Sequence, residues 1–509
     1  MSPAFNENSK QKAGAGAFAL RIVTAREMQR TEQLAFTAGL DSYTAMERAG
    51  RAVADAILAR WRRRPVLVLC GPGNNGGDGY IIAATLRAAG WPVSVTALAA
   101  PSSTDARRAA TGWGSTALEP DDITWPEAGG LIVDALFGIG LTRRLDGVGA
   151  NLVQRANQCG APIVSVDIPS GVHADTGAML GTAIAATLTV TFAWCKPGHV
   201  LLPGRTATGE LVIADIGLPA APLPDDLSPV WRNTPALWRH ALPVPRVQDH
   251  KYSRGHLVAI GGGVMTGAVR LAVRAARRAG AGLATILAPA AAVSVYAQDQ
   301  AGAIVRPRPE TADVVAYLKD SRVSAVLIGS GLESGGETSD LLRHVLAARH
   351  ATVVDGGGLD AWRDLDHHLI AERAGPVVLT PHEGEFARLC GNLGADLGPG
   401  LGKLQRAQAA ARLFGAVIVL KGPDTVIAAP DGRAIVNGEA PAYLATAGSG
   451  DVLAGLIAGL LTQGMDAFAA SAAAVWLHAE AARRFGPGLL AEDLPDLLPK
   501  VIAELSAAS

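Results

Sequence analysis

Short apolar runs alternating with longer helix-periodic segments constrain this chain more than any other feature. In the first half such runs occupy residues 65–70, 92–98, 131–135 and 163–167. A helical pattern covers 24–62, and another helix is expected from Tyr80 onward. In the second half the runs fall at 256–260, 283–287, 324–328, 351–354, 376–379 and 416–420. Near-continuous apolar strands separated by helices predict an α/β protein whose parallel sheets are covered on both faces. A hairpin is expected over 425–436, with Asp431 and Gly432 at its turn. The alternation fails between residues 218 and 247, where Pro219, Pro222, Pro224, Pro229, Pro235, Pro243 and Pro245 crowd together. A chain of 509 residues is too long for one core. The expected division is a loose tail at 1–19, a first domain at 20–225, a linker at 226–247 and a second domain at 248–509. The two blocks carry different motifs, so no internal repeat is expected.

Composition narrows the function classes. The chain is 49% hydrophobic and 18% charged, with a net charge of −1. Such a chain folds compactly and lacks the basic face that nucleic acid requires. Cys70, Cys159, Cys195 and Cys390 form no CxxC pair, so a disulfide framework and a zinc site are not expected, and a reducing, cytoplasmic setting is. Residues 1–19 lack the apolar centre of a signal peptide. The Ala-rich runs near 271–292 and 452–482 are broken by Gly, Arg or Glu and read as buried helices, not membrane spans. Their apolar faces leave room for a homo-oligomer.

Three strand ends of the first block carry polar groups. Residues 71–79 follow a strand and bring Asn74, Asn75, Gly76, Gly77 and Asp78. They spell G-x-G-x-x-G, yet the acidic residue expected about 20 positions on is missing, and no Walker lysine is present. Asp134 lies at the end of the run 131–135 and precedes Gly138, Ile139, Gly140, Leu141, Thr142, Arg143 and Arg144. Asp167 ends the run 163–167 and precedes Ser170. Ligands of doubly wound sheets bind beyond the carboxyl ends of the strands. Oxygen donors from Asn75, Asp78, Asp134, Asp167 and Ser170 suit a hard cation, and Asp167 is a candidate general base. Helix capping is the plainer alternative for each.

The second block's densest signal is residues 444–455. Gly448, Ser449 and Gly450 precede a long apolar helix, with Asp451 at the junction. Backbone N–H groups at a helix start form an anion site, and a carboxylate beside it can deprotonate a hydroxyl attacking phosphorus. A turn with Asp451 as a cap is the alternative.

These strings carry a resemblance. GPGNNGGDG at 71–79, DALFGIGL at 134–141 and VDIPSG at 166–171 resemble the epimerase domain of the bifunctional NAD(P)H-hydrate repair enzymes. KYSRGH at 251–256, MTGA at 265–268, LTPHEGEF at 379–386, Lys421-Gly422 and Gly448 to Asp451 resemble the dehydratase domain, which has a ribokinase-like fold. The resemblance implies a Rossmann-like first domain that interconverts the R and S epimers of hydrated NADH and NADPH. It implies a second domain that dehydrates the S form at the expense of ADP. It further implies potassium at Asn75, Asp134 and Ser170. The hydrated cofactor is placed at 74–78, 138–144 and Asp167 in the first domain, and at Ala268, Gly331, His382 and Asp451 in the second. ADP, accompanied by magnesium, is placed at Lys421, Gly422, Pro423, Asp424, Thr425 and Gly450. Lys421 is a candidate to neutralise phosphate charge, and His382 is either a pocket wall or cap or an acid–base group.

The chain departs from the family pattern at Asp355-Gly356-Gly357-Gly358, where Asp-Ala-Asp-Ala is usual and the second carboxylate is gone. Ala447 to Gly450 and Glu383 are milder variants. A ribokinase-like small-molecule kinase carrying an N-terminal ligand-binding module, or a sensing module, is the alternative reading.

Overall fold

The computed structural model describes residues 20–218, 229–298, 301–365, 375–391, 397 and 401–507. The tail at 1–19 and Pro219, Pro222 and Pro224 lie outside the described residues. The chain splits into two compact units, the first ending at Val230 and the second beginning at Trp231.

The first unit is built on a six-stranded sheet, ordered Val93–Ala97, Val66–Cys70, Leu131–Ala135, Ile163–Val166, Leu188–Phe192 and Glu210–Ala214. Every pairing is parallel. The four central strands are buried along their whole length, which is why they read as unbroken apolar runs. Strand order reverses beside Val66–Cys70, so a crevice opens at its carboxyl end, where a doubly wound sheet takes its ligand. The strands at Leu188–Phe192 and Glu210–Ala214 were not expected from the sequence.

Two helical readings are corrected in this unit. The segment 24–62 is two helices, Ala25–Thr37 and Ser42–Arg60, capped by Thr24 and Asp41. The helix expected from Tyr80 begins at Asn74 and runs to Ala88. Its glycines serve contact with the sheet, not loop freedom. A Cβ at Gly76 would lie 1.9 Å from the Gly71 carbonyl oxygen, and one at Gly79 would lie 2.7 Å from Ala135 Cβ. Glycine there lets the helix start lie directly on the strand ends.

In the second unit the sheet runs Ala434–Asn437, Thr425–Ala428, Val417–Leu420, Val377–Leu379, Ala351–Val354, Val323–Ile328, His256–Ile260, Leu283–Ala288 and Ile304–Pro307. The hairpin strands Thr425–Ala428 and Ala434–Asn437 pair antiparallel, and the strands from Val417–Leu420 to Ile304–Pro307 pair parallel. Helix Ser449–Thr462 packs against Thr266–Arg278 at backbone distance. A Cβ at Gly455 would meet the Ala272 carbonyl oxygen at 2.0 Å, and one at Gly459 would meet that of Ala276 at 2.5 Å. This close approach explains the Ala and Gly content of both helices. Among the described residues no helix is long and apolar enough to cross a membrane.

The proline-rich segment departs from a plain linker among its described residues. Asn233 N donates to the Val436 carbonyl at 2.9 Å, and Asn233 Nδ2 donates to that of Ala472 at 2.8 Å. Trp238 is fully buried and its Nε1 donates to Asn233 Oδ1 at 3.0 Å. Proline density marked broken secondary structure there, but Trp238 supplies the apolar area that ties the segment down.

Candidate active sites

A cavity of about 570 Å³ lies at the carboxyl edge of the first sheet. Asn74, Asn75, Asp78, residues 138–143 and Asp167 line it, together with Glu32 from the helix Ala25–Thr37. Gly76, Gly77 and Arg144 are absent from the lining. Gly76 faces Gly71, a Cβ on Gly77 would meet Met46, and the Arg144 side chain lies against Gly181.

Asp167 directly follows its strand and has a φ of 64°. Its Oδ1 accepts from Lys196 Nζ at 2.6 Å and from Thr191 Oγ1 at 2.8 Å, leaving Oδ2 for a ligand. Lys196 is 0% exposed and also donates to Thr191 Oγ1 at 2.8 Å and to the Phe192 carbonyl at 3.3 Å. Burial pushes the Asp167 carboxyl up, but the Lys196 ammonium, its hydrogen bond, His199 and Thr191 together hold it below the ordinary range. Its neighbours shift the other way. Burial, with the Asp167 charge behind it, pushes Glu32 up to about 7 against the pull of Lys196. Asp78 is raised well above a normal carboxyl by burial, then by Asp167 and Glu32. The pocket therefore gathers a carboxyl held low, Asp167, with two that are raised, Glu32 and Asp78, a division suited to taking a proton at one point and returning it at another.

Glu32 and Lys196 escape a sequence reading. Glu32 sits in an ordinary amphipathic helix far upstream, and Lys196 follows an unpredicted strand. No local pattern announces either.

Beneath the cavity, Asp134 is 0% exposed. Its Oδ1 accepts from Ser170 Oγ at 2.6 Å and Leu136 N at 3.4 Å, and its Oδ2 from Ser165 Oγ and Ser170 N, both at 2.9 Å. Those partners are hydroxyls and amides, not cations, and burial keeps this carboxyl raised despite them. Ser170 Oγ also accepts from Phe137 N at 2.9 Å, one residue before Gly138, where a Cβ would lie 3.2 Å from Asn75 Oδ1. Asn75 Nδ2 is buried without a hydrogen-bond partner. Amide orientation is assigned from the network, and the flipped Asn75 would place an acceptor oxygen at that unsatisfied point. A buried carboxylate lacking a positive partner, a hydroxyl and a convertible amide fit a monovalent cation with oxygen ligands.

The second unit gathers its polar groups at the matching sheet edge. Helix Ser449–Thr462 starts after Gly448, which has a φ of 88°, and places Asp451 in its first turn. A cavity of about 470 Å³ opens there. Lys421, Gly422, Pro423, Thr425, Gly450 and His382 line it. Asp424 is not in the lining; its Oδ1 accepts from Lys403 Nζ at 2.6 Å. Thr425 Oγ1 accepts from Gly422 N at 3.1 Å and donates to the Gly422 carbonyl at 2.7 Å, fixing the turn that carries Lys421. Lys421 Nζ lies 3.4 Å from where a Gly450 Cβ would be, 2.9 Å from Asp355 Oδ1 and 3.6 Å from Glu385 Oε2. Burial lowers its pKa, but Asp355 and Glu385 outweigh that, so it stays an ammonium beside the helix start.

Asp451, Ala268 and Gly331 are not part of this cavity's lining. Ser330 Oγ donates to Asp355 Oδ2 at 3.2 Å and also helps hold the Asp451 carboxyl down. A Cβ on the next residue, Gly331, would be 3.2 Å from Ala268 Cβ. Ala268, Gly331, Ser330 and Asp451 thus form one connected group, adjoining the cavity through Gly450 and Lys421. Burial, with Asp355 and Glu385 adding to it, pushes Asp451 up to about 6, against Ser330 and Lys421. His382 is a cap as well as a wall: its Nδ1 accepts from Gly384 N at 3.0 Å and Glu385 N at 3.2 Å.

The missing second carboxylate has a structural counterpart. A Cβ at Gly357 would lie 2.3 Å from the Leu332 carbonyl oxygen, so the chain has closed over the space a side chain would need. Asp355 keeps a defined place through Thr380 Oγ1 at 2.7 Å and Lys421.

Comparison with known proteins matches both units of the chain. The family described as NAD(P)H-hydrate dehydratase matches residues 257–503, and that described as YjeF-related protein N-terminus matches 42–198. The bifunctional NAD(P)H-hydrate repair enzyme Nnr of Moorella thermoacetica is 37% identical over 517 residues, covering 95% of this chain and 97% of its own. The Escherichia coli enzyme of the same name is 35% identical over 482 residues, covering 91% of this chain and 90% of its own. The crystal structure of ADP/ATP-dependent NAD(P)H-hydrate dehydratase from Bacillus subtilis, co-crystallized with ATP/Mg2+, is 30% identical with a TM-score of 0.47, covering 55% of this chain and 99% of that one. On its identity to full-length relatives across nearly all of both chains, this chain belongs to the family of bifunctional NAD(P)H-hydrate repair enzymes.

Proposed function

We propose that the first unit interconverts the R and S epimers of hydrated NADH and NADPH, and that the second removes water from the S epimer using ADP. The observation that carries the second activity is Asp451, a carboxyl raised toward neutrality in the first turn of a helix whose free N–H groups and neighbouring Lys421 suit a transferring phosphoryl group. Hydroxide leaves poorly and phosphate leaves well. Asp451 takes the proton of the C6 hydroxyl as its oxygen bonds to the β-phosphorus of ADP and AMP departs. The C6–O bond then breaks with the phosphate carrying the electron pair, the ring nitrogen lone pair assists, and loss of a C5 proton restores the double bond. The 470 Å³ cavity lined by Lys421, Gly422, Pro423, Thr425 and Gly450 supports the nucleotide assignment, and Ala268, Gly331 and Asp451 beside it are the residues assigned to the hydrated ring. No group of three or more His, Cys, Asp or Glu suited to a metal occurs among the described residues, so a magnesium ion here would be held chiefly by the phosphates. In the first unit Asp167 is the general base, with the raised carboxyls Glu32 and Asp78 in the same pocket as candidate proton donors. Incubation with mixed hydrate epimers, with and without ADP, followed at the absorbance of the reduced nicotinamide, tests the reading. Recovery of both epimers only with ADP is expected; ADP-independent recovery or none would overturn it.

A pH profile follows from Asp451. Its basic form accumulates above about 6, so kcat/KM for the S epimer should rise through that pH and level off above it. A profile flat from pH 5 to 7 would remove Asp451 as the base.

Asn75, Asp134 and Ser170 are the proposed potassium ligands. The ion would supply the positive charge that buried Asp134 lacks and fix the loops around the nicotinamide. Thermal unfolding should show a higher transition in potassium than in sodium chloride at equal ionic strength, and Asp134→Ala should erase the difference. Equal melting of the wild type in both salts would return these residues to structural roles.

A further inference from the structure

Asp167 and Lys196 meet where two neighbouring strands end in sharp bends. Among the described residues, a positive φ outside glycine occurs at Asp167, Ala193 and Arg349. The first two directly follow the paired strands Ile163–Val166 and Leu188–Phe192. Asp167 has a φ of 64°, and across it Ile168 N donates to the Val166 carbonyl at 2.8 Å. Ala193 has a φ of 57°, and across it Trp194 N donates to the Phe192 carbonyl at 2.6 Å. A bond between residues two apart, closed over a positive φ, is the rare and strained form of the γ-turn. Such a conformation persists only where its surroundings hold it.

The Asp167 turn is held from both sides. Its N–H donates to the Val190 carbonyl of the neighbouring strand at 2.8 Å. Its carbonyl oxygen lies 2.8 Å from His199 Nε2. The Nδ1 of the same ring accepts from Lys196 N at 3.0 Å. A backbone N–H only donates and a carbonyl only accepts, so these two bonds fix the ring's state: Nδ1 is bare and Nε2 carries the proton. His199 is 3% exposed, so neither bond is made on an open surface. One imidazole thus joins the backbone of Asp167 to that of Lys196, the two residues whose side chains pair at 2.6 Å. The ring does not line the cavity, so its action on a ligand passes through Asp167. Resting on Asp167 as the base of epimerisation, we propose that His199 is a positioning residue. Its Nε2–H holds the strained Asp167 turn and its Nδ1 holds the Lys196 backbone, which keeps the carboxylate against its ammonium and in place at the cavity.

Full-length His199→Asn and His199→Gln test this, because the shorter amide reaches the Nδ1 position and the longer one reaches Nε2. Asparagine can still accept from Lys196 N but falls short of the Asp167 carbonyl, whereas glutamine can donate to that carbonyl. Epimer exchange by His199→Asn should lose roughly 10- to 100-fold in kcat, the scale of a displaced reacting group, with KM within about 2-fold of the wild type. His199→Gln should recover most of that loss. Dehydration of pure S epimer should match the wild type in both variants. Histidine-selective nitrogen NMR of the wild-type chain, with His199 assigned by through-bond correlation, should show a bare Nδ1 and a protonated Nε2. Wild-type exchange by His199→Asn overturns the proposal. So does a loss carried by KM with kcat unchanged, or a glutamine variant no better than the asparagine one. A wild-type ring protonated at Nδ1 overturns it even should both variants fail to fold. If the wild type exchanges no epimers, the epimerase reading itself falls, and this proposal with it.

Discussion

Asp451→Asn is expected to lower ADP-dependent dehydration of the S epimer by about 10²–10⁴-fold, the range seen when a general base is removed. The change preserves the side chain's shape in the first turn of its helix, so folding should be unaffected. Nucleotide affinity should change little or rise, because Asp451 is outside the cavity lining and a charge near the phosphates is lost. Epimerisation should stay normal, since the site proposed for it is lined by residues of the first unit. The decisive readout is single-turnover formation of reduced nicotinamide with saturating ADP. Near-normal turnover would show that the C6 hydroxyl loses its proton elsewhere.

Lys196→Met is expected to abolish epimerisation and to destabilise the first unit by about 3–5 kcal/mol, the cost of leaving a buried charge without its partner. The pair is a short one, Lys196 Nζ to Asp167 Oδ1 at 2.6 Å, with the lysine side chain fully enclosed. Without the ammonium, the burial that already opposes ionisation of Asp167 would dominate and protonate it, removing the base. Asp167→Asn in the same chain should recover part of the stability, because a neutral amide needs no counter-charge, but none of the activity. Urea unfolding of the single and double variants, with epimer exchange measured by chromatography, separates the two effects. An unfolding midpoint unchanged in Lys196→Met would show that the pair contributes nothing to the fold. Asp167→Ala should likewise stop epimer exchange while dehydration of pure S epimer continues.

The sequence by itself determined the α/β class, most strand positions and the glycine-bearing helix start at 448–451. Those features are local. A strand buried on both faces must be apolar throughout, and a helix start that holds an anion must leave its N–H groups bare, so Val66–Cys70 and residues 448–451 are legible without neighbours. Strands such as Glu210–Ala214, whose first residue is exposed, lacked that unbroken apolar mark. The glycines of 71–79 looked like a loop because glycine signals both freedom and closeness. Only the distance to Gly71 and Ala135 shows that closeness is the reason here. The charge partners were decided by tertiary structure alone. Lys196 meets Asp167, Glu32 joins the same pocket from a distant helix, and Lys403 pairs with Asp424, which does not line the second unit's cavity. Burial and neighbouring charge set how each of these groups holds its proton, and both are properties of the packed chain rather than of any segment.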